Sequence, residues 1–173
     1  MIADDDRYDD DKFREECGVF GIYGTRDAAA LTALGLHALQ HRGQEACGVV
    51  SYNGENFFAH KALGLVDSNF SDVNVIERLK GHAAIGHNRY STSGAPALRN
   101  VQPMYADMDF GGFAVAHNGN LTNARTLRQD LVKRGSIFQS TSDTETIVHL
   151  VAVSRKKTVQ ERLIAAIKQI KGA

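Results

Sequence analysis

The chain has 173 residues, 43% hydrophobic and 23% charged, a length and mix that suit one globular domain with a real core. Its formal net charge is zero and its pI is near 7.1, so nothing argues for nucleic acid or an anionic membrane surface as a partner. No apolar run approaches the ~18 residues of a membrane-spanning helix, and two cysteines, Cys17 and Cys47, are too few for a disulfide framework and point to a reducing cytoplasm.

The charge is unevenly spread. Residues 1–16 carry eight acids against Arg7, Lys12 and Arg14, leaving the remainder net basic. This acidic leader has neither the apolar segment of a secretory signal nor the basic character of a transit peptide. From Cys17 the pattern changes. "CGVFGIY" reads as a short strand buried on both faces. Asp27 is placed to cap a helix with the apolar stripe Leu31, Leu34, Ala38 and Leu39, ended by Gly43. "CGVVSY" and "ENFFAH" flank Asn53-Gly54, the strongest two-residue hairpin signal. Ser71 or Asp72 opens a short helix carrying Val73, Ile76 and Leu79, closed by Gly81.

"HAAIGHNRYST" and "GGFAVAHNGN" share one design, an apolar strand running into a polar turn. Thr122 or Asn123 opens a helix with Leu127 and Leu131 inward, stopped at Gly135. Two capping boxes follow, Ser142…Glu145 and Thr158…Glu161, each predicting a helix. Hairpins and blocks of helices together indicate an α+β fold with antiparallel pairing.

Polar residues collect where strands end, at Cys17, 87–94, 117–120 and 142–145. Taken singly, each has a plain explanation: a core cysteine, an ion-pair arginine, a turn, a first-turn acid. Together they supply the parts of an amide hydrolase. A thiol needs a base or a lowered pKa to attack. Cleavage between Glu16 and Cys17 would place a new α-amine on the nucleophile's own residue, with a reference pKa of about 7.7–8.0. Asn118 Nδ2 and the Gly119 N–H are donors of the kind that stabilise a tetrahedral oxyanion. Arg89 can grip a carboxylate bidentately, and Asp143 can hold an ammonium. Such a pair describes an amino-acid substrate whose side-chain amide is cleaved. A metal-dependent hydrolase using His82, His87 and His117 is the competing reading, but no HExxH spacing or Cys/His cluster supports it.

"CGVFGIYG", "LHALQHRGQEACGVV", "GHNRYSTSG", "NVQP", "AHNGNLTN" and "SDTE", in this order, resemble the class II glutamine amidotransferases of the N-terminal nucleophile (Ntn) hydrolase superfamily. The wording is most similar to the glutaminase domain of the amidophosphoribosyltransferases, which open de novo purine synthesis; glucosamine-6-phosphate synthases usually have Trp where Tyr90 stands. The resemblance covers residues 15–173. It implies a four-layer αββα sandwich over 17–173, following a propeptide at 1–16. Cys17 is then the nucleophile, passing through a γ-glutamyl thioester. Asn118 and Gly119 form the oxyanion hole, Arg89 and Thr92 hold the glutamine α-carboxylate, and Asp143 holds its α-amine. Arg42 and Gly43 flank the nucleophile, and Cys47 is core.

The family continues beyond Ala173 with further strands and a phosphoribosyltransferase domain. The expectation is therefore an incomplete glutaminase domain that needs no cofactor of its own and is inert while Glu16–Cys17 is intact. Mg2+ with phosphoribosyl diphosphate, an iron–sulfur (4Fe-4S) cluster and homo-oligomerisation are implied for full-length members. An acceptor of another class II amidotransferase stays open at this point.

Overall fold

The computed structural model describes residues 17–90 and 97–172. Strands β1 (Cys17–Tyr23), β2 (Ala46–Tyr52), β3 (Phe57–Leu63) and β4 (Ala83–Arg89) form an antiparallel sheet in the order β1-β4-β2-β3. β5 (Met104–Met108) and β6 (Gly111–Val115) form a second, two-stranded antiparallel sheet. Helix α1 (Ala28–Ala38) packs on one face of the first sheet, where Leu36 and Thr32 meet Gly86 and where Gly35 lies against the Phe20 ring. The other face looks toward the second sheet; Phe57 and Tyr105 meet there with ring centroids 5.1 Å apart. Beyond the second sheet lie α4 (Ala124–Lys133), α5 (Thr144–Ala152) and α6 (Val159–Ile167). Leu131, Leu150, Val151 and Ala166 make the core of that side, against Phe110 and Phe113. The layers run helix, sheet, sheet, helix, and the fold is α+β with antiparallel sheets.

Several local expectations need correcting. β1 is not buried on both faces: Val19 is 41% and Tyr23 80% exposed, because β1 is an edge strand. The buried stripe of α1 is Ala28, Ala29, Thr32, Ala33 and Leu36, while Leu31 and Leu34 point outward. The helix is apolar all round, and small residues win the inner face because they let it settle onto Gly86. Gly43 does not end α1; it closes a separate 3₁₀ turn at Gln40–Arg42.

The β2–β3 connection is a four-residue turn rather than a two-residue one. Asn53 Oδ1 accepts the Glu55 and Asn56 N–H groups, and Gly54 takes a φ of 105°. A five-residue helix, α2 (Val66–Phe70), precedes α3 (Val73–Arg78), which Asp72 caps as expected. Val75 and Leu79, not Val73, are the residues buried there.

The Thr158–Glu161 capping box forms in full. The Ser142–Glu145 box does not. Asp143 is the residue before α5, and Glu145 reaches back to the Gln139 and Ser140 N–H groups and the Ser140 hydroxyl. Burial would raise the Glu145 pKa, but these donors hold its carboxyl below the ordinary value.

Candidate active site

Antiparallel register decides what stands beside Cys17. As the first residue of β1 it lies opposite Arg89, the last of β4, and Arg89 lies opposite Ala46, the first of β2. Three strands therefore deliver their ends to one place. Cys17 is half-buried there, with its Sγ 4.0 Å from the Tyr90 carbonyl oxygen. Cys47 differs: it is 1% exposed, inside the core, and burial pushes its thiol up to about 11. A thiol so protonated is an inert packing group.

The turn after α1 closes onto this strand end. Arg42 Nε donates to the Cys17 carbonyl at 2.8 Å. Gly43 lies on the β4 backbone so closely that a Cβ would come within 2.8–2.9 Å of Arg89 and Asn88 main-chain atoms. Only glycine permits that approach. Glu45 N–H then donates to the Arg89 carbonyl at 3.1 Å, and the Gln40 side chain braces the turn through the Gly43 carbonyl and the Val66 N–H.

From the second sheet, the chain leaves β6 and brings Asn118 to the same carbonyl, its Nδ2 donating to Cys17 O at 2.9 Å. Gly119 follows with a φ of 145°, in the region that favours glycine. Three residues on from Asn118, Leu121 N–H donates to Asp143 Oδ2 at 2.8 Å, so the carboxylate at the start of α5 is tied to the Asn118 loop. The structure thus gathers Cys17, Arg42, Gly43, Arg89 and Asn118 directly and links Asp143 through that loop. Thr92, the leader and the Glu16–Cys17 junction lie outside the described residues.

Beneath these groups sits an uncharged layer. His87 is 1% exposed, and burial, with the nearby charges of Arg89 and His117, holds its pKa down at about 4. It is neutral near pH 7, while Arg42 and Arg89 bring positive charge to the strand end that carries Cys17. That field suits an incoming carboxylate and a developing oxyanion. His82 belongs elsewhere, edge-on to Tyr23 and tilted against Tyr52 at the opposite end of the sheet. Among the described residues no group of three or more His, Cys, Asp or Glu is arranged to hold a metal ion. No helix among the described residues is long and apolar enough to cross a membrane.

Two residues joined to this site were given no role from sequence, Asn100 and Gln102. "NVQP" was visible as a string, but its side chains bind backbone far along the chain, which composition does not signal.

The family described as "Glutamine amidotransferase domain" matches residues 87–172. An amidophosphoribosyltransferase of Rhizobium etli is 55% identical over 168 residues, 97% of this chain and 34% of the relative. One of Lacticaseibacillus casei is 50% identical over 137 residues, 79% of this chain and 71% of the relative. The solved structure of the glutamine phosphoribosylpyrophosphate amidotransferase of Bacillus subtilis, complexed with ADP and GMP, superposes with a TM-score of 0.82. That pair is 44% identical, over 89% of this chain and 33% of the other. The chain spans about a third of the length of most of these relatives. With the domain match, the identities and the shared fold in hand, the chain belongs to the amidophosphoribosyltransferase family.

Proposed function

We propose that this chain is the glutaminase portion of an amidophosphoribosyltransferase, releasing ammonia from the glutamine side chain at Cys17. The observation that carries the reading is the convergence of Cys17, Arg89 and Asn118 from two sheets on one strand end. Removal of residues 1–16 frees the Cys17 α-amine, which takes the thiol proton. The sulfur attacks the amide carbon of glutamine. The oxygen of the tetrahedral intermediate is held by Asn118 Nδ2 and the Gly119 N–H; Asn118 exchanges its present bond to the Cys17 carbonyl for that oxygen. The α-ammonium returns the proton to the departing nitrogen, leaving a γ-glutamyl thioester and ammonia. Water then cleaves the thioester to glutamate by the reverse proton path.

Arg89, with Thr92 beside it in sequence, takes the substrate carboxylate. Asp143 takes the α-ammonium, and Arg42 and Gly43 hold the nucleophile's backbone. In the full-length protein the ammonia displaces pyrophosphate from phosphoribosyl diphosphate, giving phosphoribosylamine, the first step of purine synthesis. Mg2+ with that second substrate and any 4Fe-4S cluster belong to the remainder of the protein, and the full-length protein is a homo-oligomer. Two cysteines fall short of the four thiolates a cluster takes, so this chain's residues do not fit one. Two cysteines, too few for a disulfide framework, suit a cytoplasmic location.

The test is labelling of the full-length protein, starting at Cys17, with a glutamine-analogue electrophile, read by peptide mass. Cys17 is modified and Cys47 is not, and Cys17→Ala abolishes both labelling and glutamine hydrolysis. Hydrolysis that survives Cys17→Ala overturns the assignment.

A further inference from the structure

The β5–β6 ladder stops at Met104↔Val115. Extending its register by two residues sets Gln102 opposite His117, and there the side chain replaces the strand. Gln102 Oε1 accepts the His117 N–H at 2.7 Å, and Gln102 Nε2 donates to the His117 carbonyl at 3.1 Å. One amide thus makes both bonds that a strand partner would make. The chain is held to the sheet without continuing it, and the next two residues, Asn118 and Gly119, turn away toward Cys17. Gln102 is itself fixed. It is 7% exposed, and its carbonyl lies against Gly48 of β2, where a Cβ would come within 2.2 Å.

Two residues earlier, Asn100 repeats the device on the other loop of the site. Its Oδ1 accepts the Thr141 N–H and its Nδ2 donates to the Thr141 hydroxyl, both at 2.9 Å. Thr141 is two residues before Asp143. Asn100 is 8% exposed.

Resting on the function proposed above, we infer that Asn100 and Gln102 are positioning residues that act on different halves of the reaction. Gln102 sets the oxyanion donors, which matter in the transition state. Asn100 sets the Asp143 carboxylate, which binds substrate in ground and transition states alike. Loss of the first lowers kcat; loss of the second raises KM.

The experiment uses full-length protein beginning at Cys17. Gln102→Met, which keeps the volume, lowers kcat for glutamine hydrolysis at least about tenfold and leaves KM within about threefold. Alkylation of Cys17 by iodoacetamide, a displacement with no oxyanion, proceeds at the unsubstituted rate. Asn100→Leu raises KM about tenfold with a smaller change in kcat.

The conservative variants separate chemistry from packing. Asn100→Asp is tolerated, because the Thr141 hydroxyl can reverse and donate. Gln102→Glu is not, because the His117 carbonyl cannot donate. Variants that move kcat and KM together, or leave both unchanged, overturn the inference. So does a Gln102→Met protein whose iodoacetamide rate and thermal midpoint fall in step with kcat, which marks a merely structural role. An unsubstituted protein that fails to hydrolyse glutamine overturns instead the function on which the inference rests.

Discussion

The two ends of the four-stranded sheet are built from the same strands and behave as opposites. At one end Cys17, Arg89 and Ala46 are aligned, and side chains from two distant segments bond to backbone there: Arg42 and the Gln40 brace from one turn, and Asn118 from the loop after β6. At the other end the side chains of Tyr23, Tyr52, Phe57 and His82 meet one another ring to ring, while the His82 N–H donates to the Tyr52 carbonyl at 3.0 Å. Tyr23, Tyr52 and Phe57 border a cavity of about 500 Å3 lined also by Gly21, Val50, Ala83, Ile85 and Ala114. Hydrogen bonds to backbone fix position to a fraction of an ångström, whereas apolar contact fills volume and tolerates rearrangement. Placement at the first end and packing at the second are therefore separable, and substitutions distinguish them.

The largest effect is expected at the turn beside Arg89. Gly43→Ala forces a Cβ into the β4 backbone at 2.8–2.9 Å, so the turn carrying Arg42 shifts away from Cys17. Glutamine hydrolysis should fall about a hundredfold in kcat/KM, the scale of a 1 Å misplacement, as measured by ammonia release. Activity within about threefold of the unsubstituted protein would show that the Arg42–Cys17 contact positions nothing.

Next comes His87 beneath the site. Its folded pKa of about 4 lies below the unfolded value of 6.5. Between those values the unfolded chain binds a proton that the native state refuses, so stability falls as pH falls. The loss amounts to about 3 kcal/mol at pH 4 and vanishes above about pH 7. Urea midpoints at about pH 7.5 and about pH 4.5 should converge for His87→Gln relative to the unsubstituted protein. Equal pH dependence in both would remove His87 as its source.

The smallest effect belongs to the aromatic end. Tyr23 is 80% exposed and touches His82 edge-on at 5.7 Å. Tyr23→Ala should cost no more than about 0.5 kcal/mol of stability and leave kcat and KM for glutamine unchanged. A drop in kcat would mean that the two ends are coupled through the sheet.

This difference also explains what the sequence made legible. Cys17, Arg89 and Asn118 stood out because each is a polar residue at the end of an apolar strand, and antiparallel register does the rest. The strands β1 to β4 and β6 and the helices α3 to α6 were readable from period, capping and turn residues. β5 was missed: "MYADM" alternates weakly, and its turn, Asp109-Phe110, has no Asn-Gly, with the positive φ falling on Gly111 instead. The α1 stripe was misread because a helix apolar on every side has no periodic face.

The Ser142 cap failed for another reason. Tertiary partners outbid a local rule: Glu145 went to the 139–140 backbone and Asp143 to Leu121. Asn100 and Gln102 were opaque for the same reason. An amide in a loop looks alike whether it faces water or replaces a strand.

The central claim is that Cys17 acts through its own α-amine, and one measurement tests it most directly. Full-length protein starting at Met1, with a leader made uncleavable, is compared with protein starting at Cys17, N-terminal mass and ammonia release being read on the same samples. The Cys17-starting protein hydrolyses glutamine and the Met1-starting protein does not, though both fold with the same thermal midpoint to within a few degrees. Equal hydrolysis by an intact Met1-starting chain would contradict the account, because its Cys17 nitrogen is a non-basic amide that cannot take the thiol proton and pass it to the leaving group.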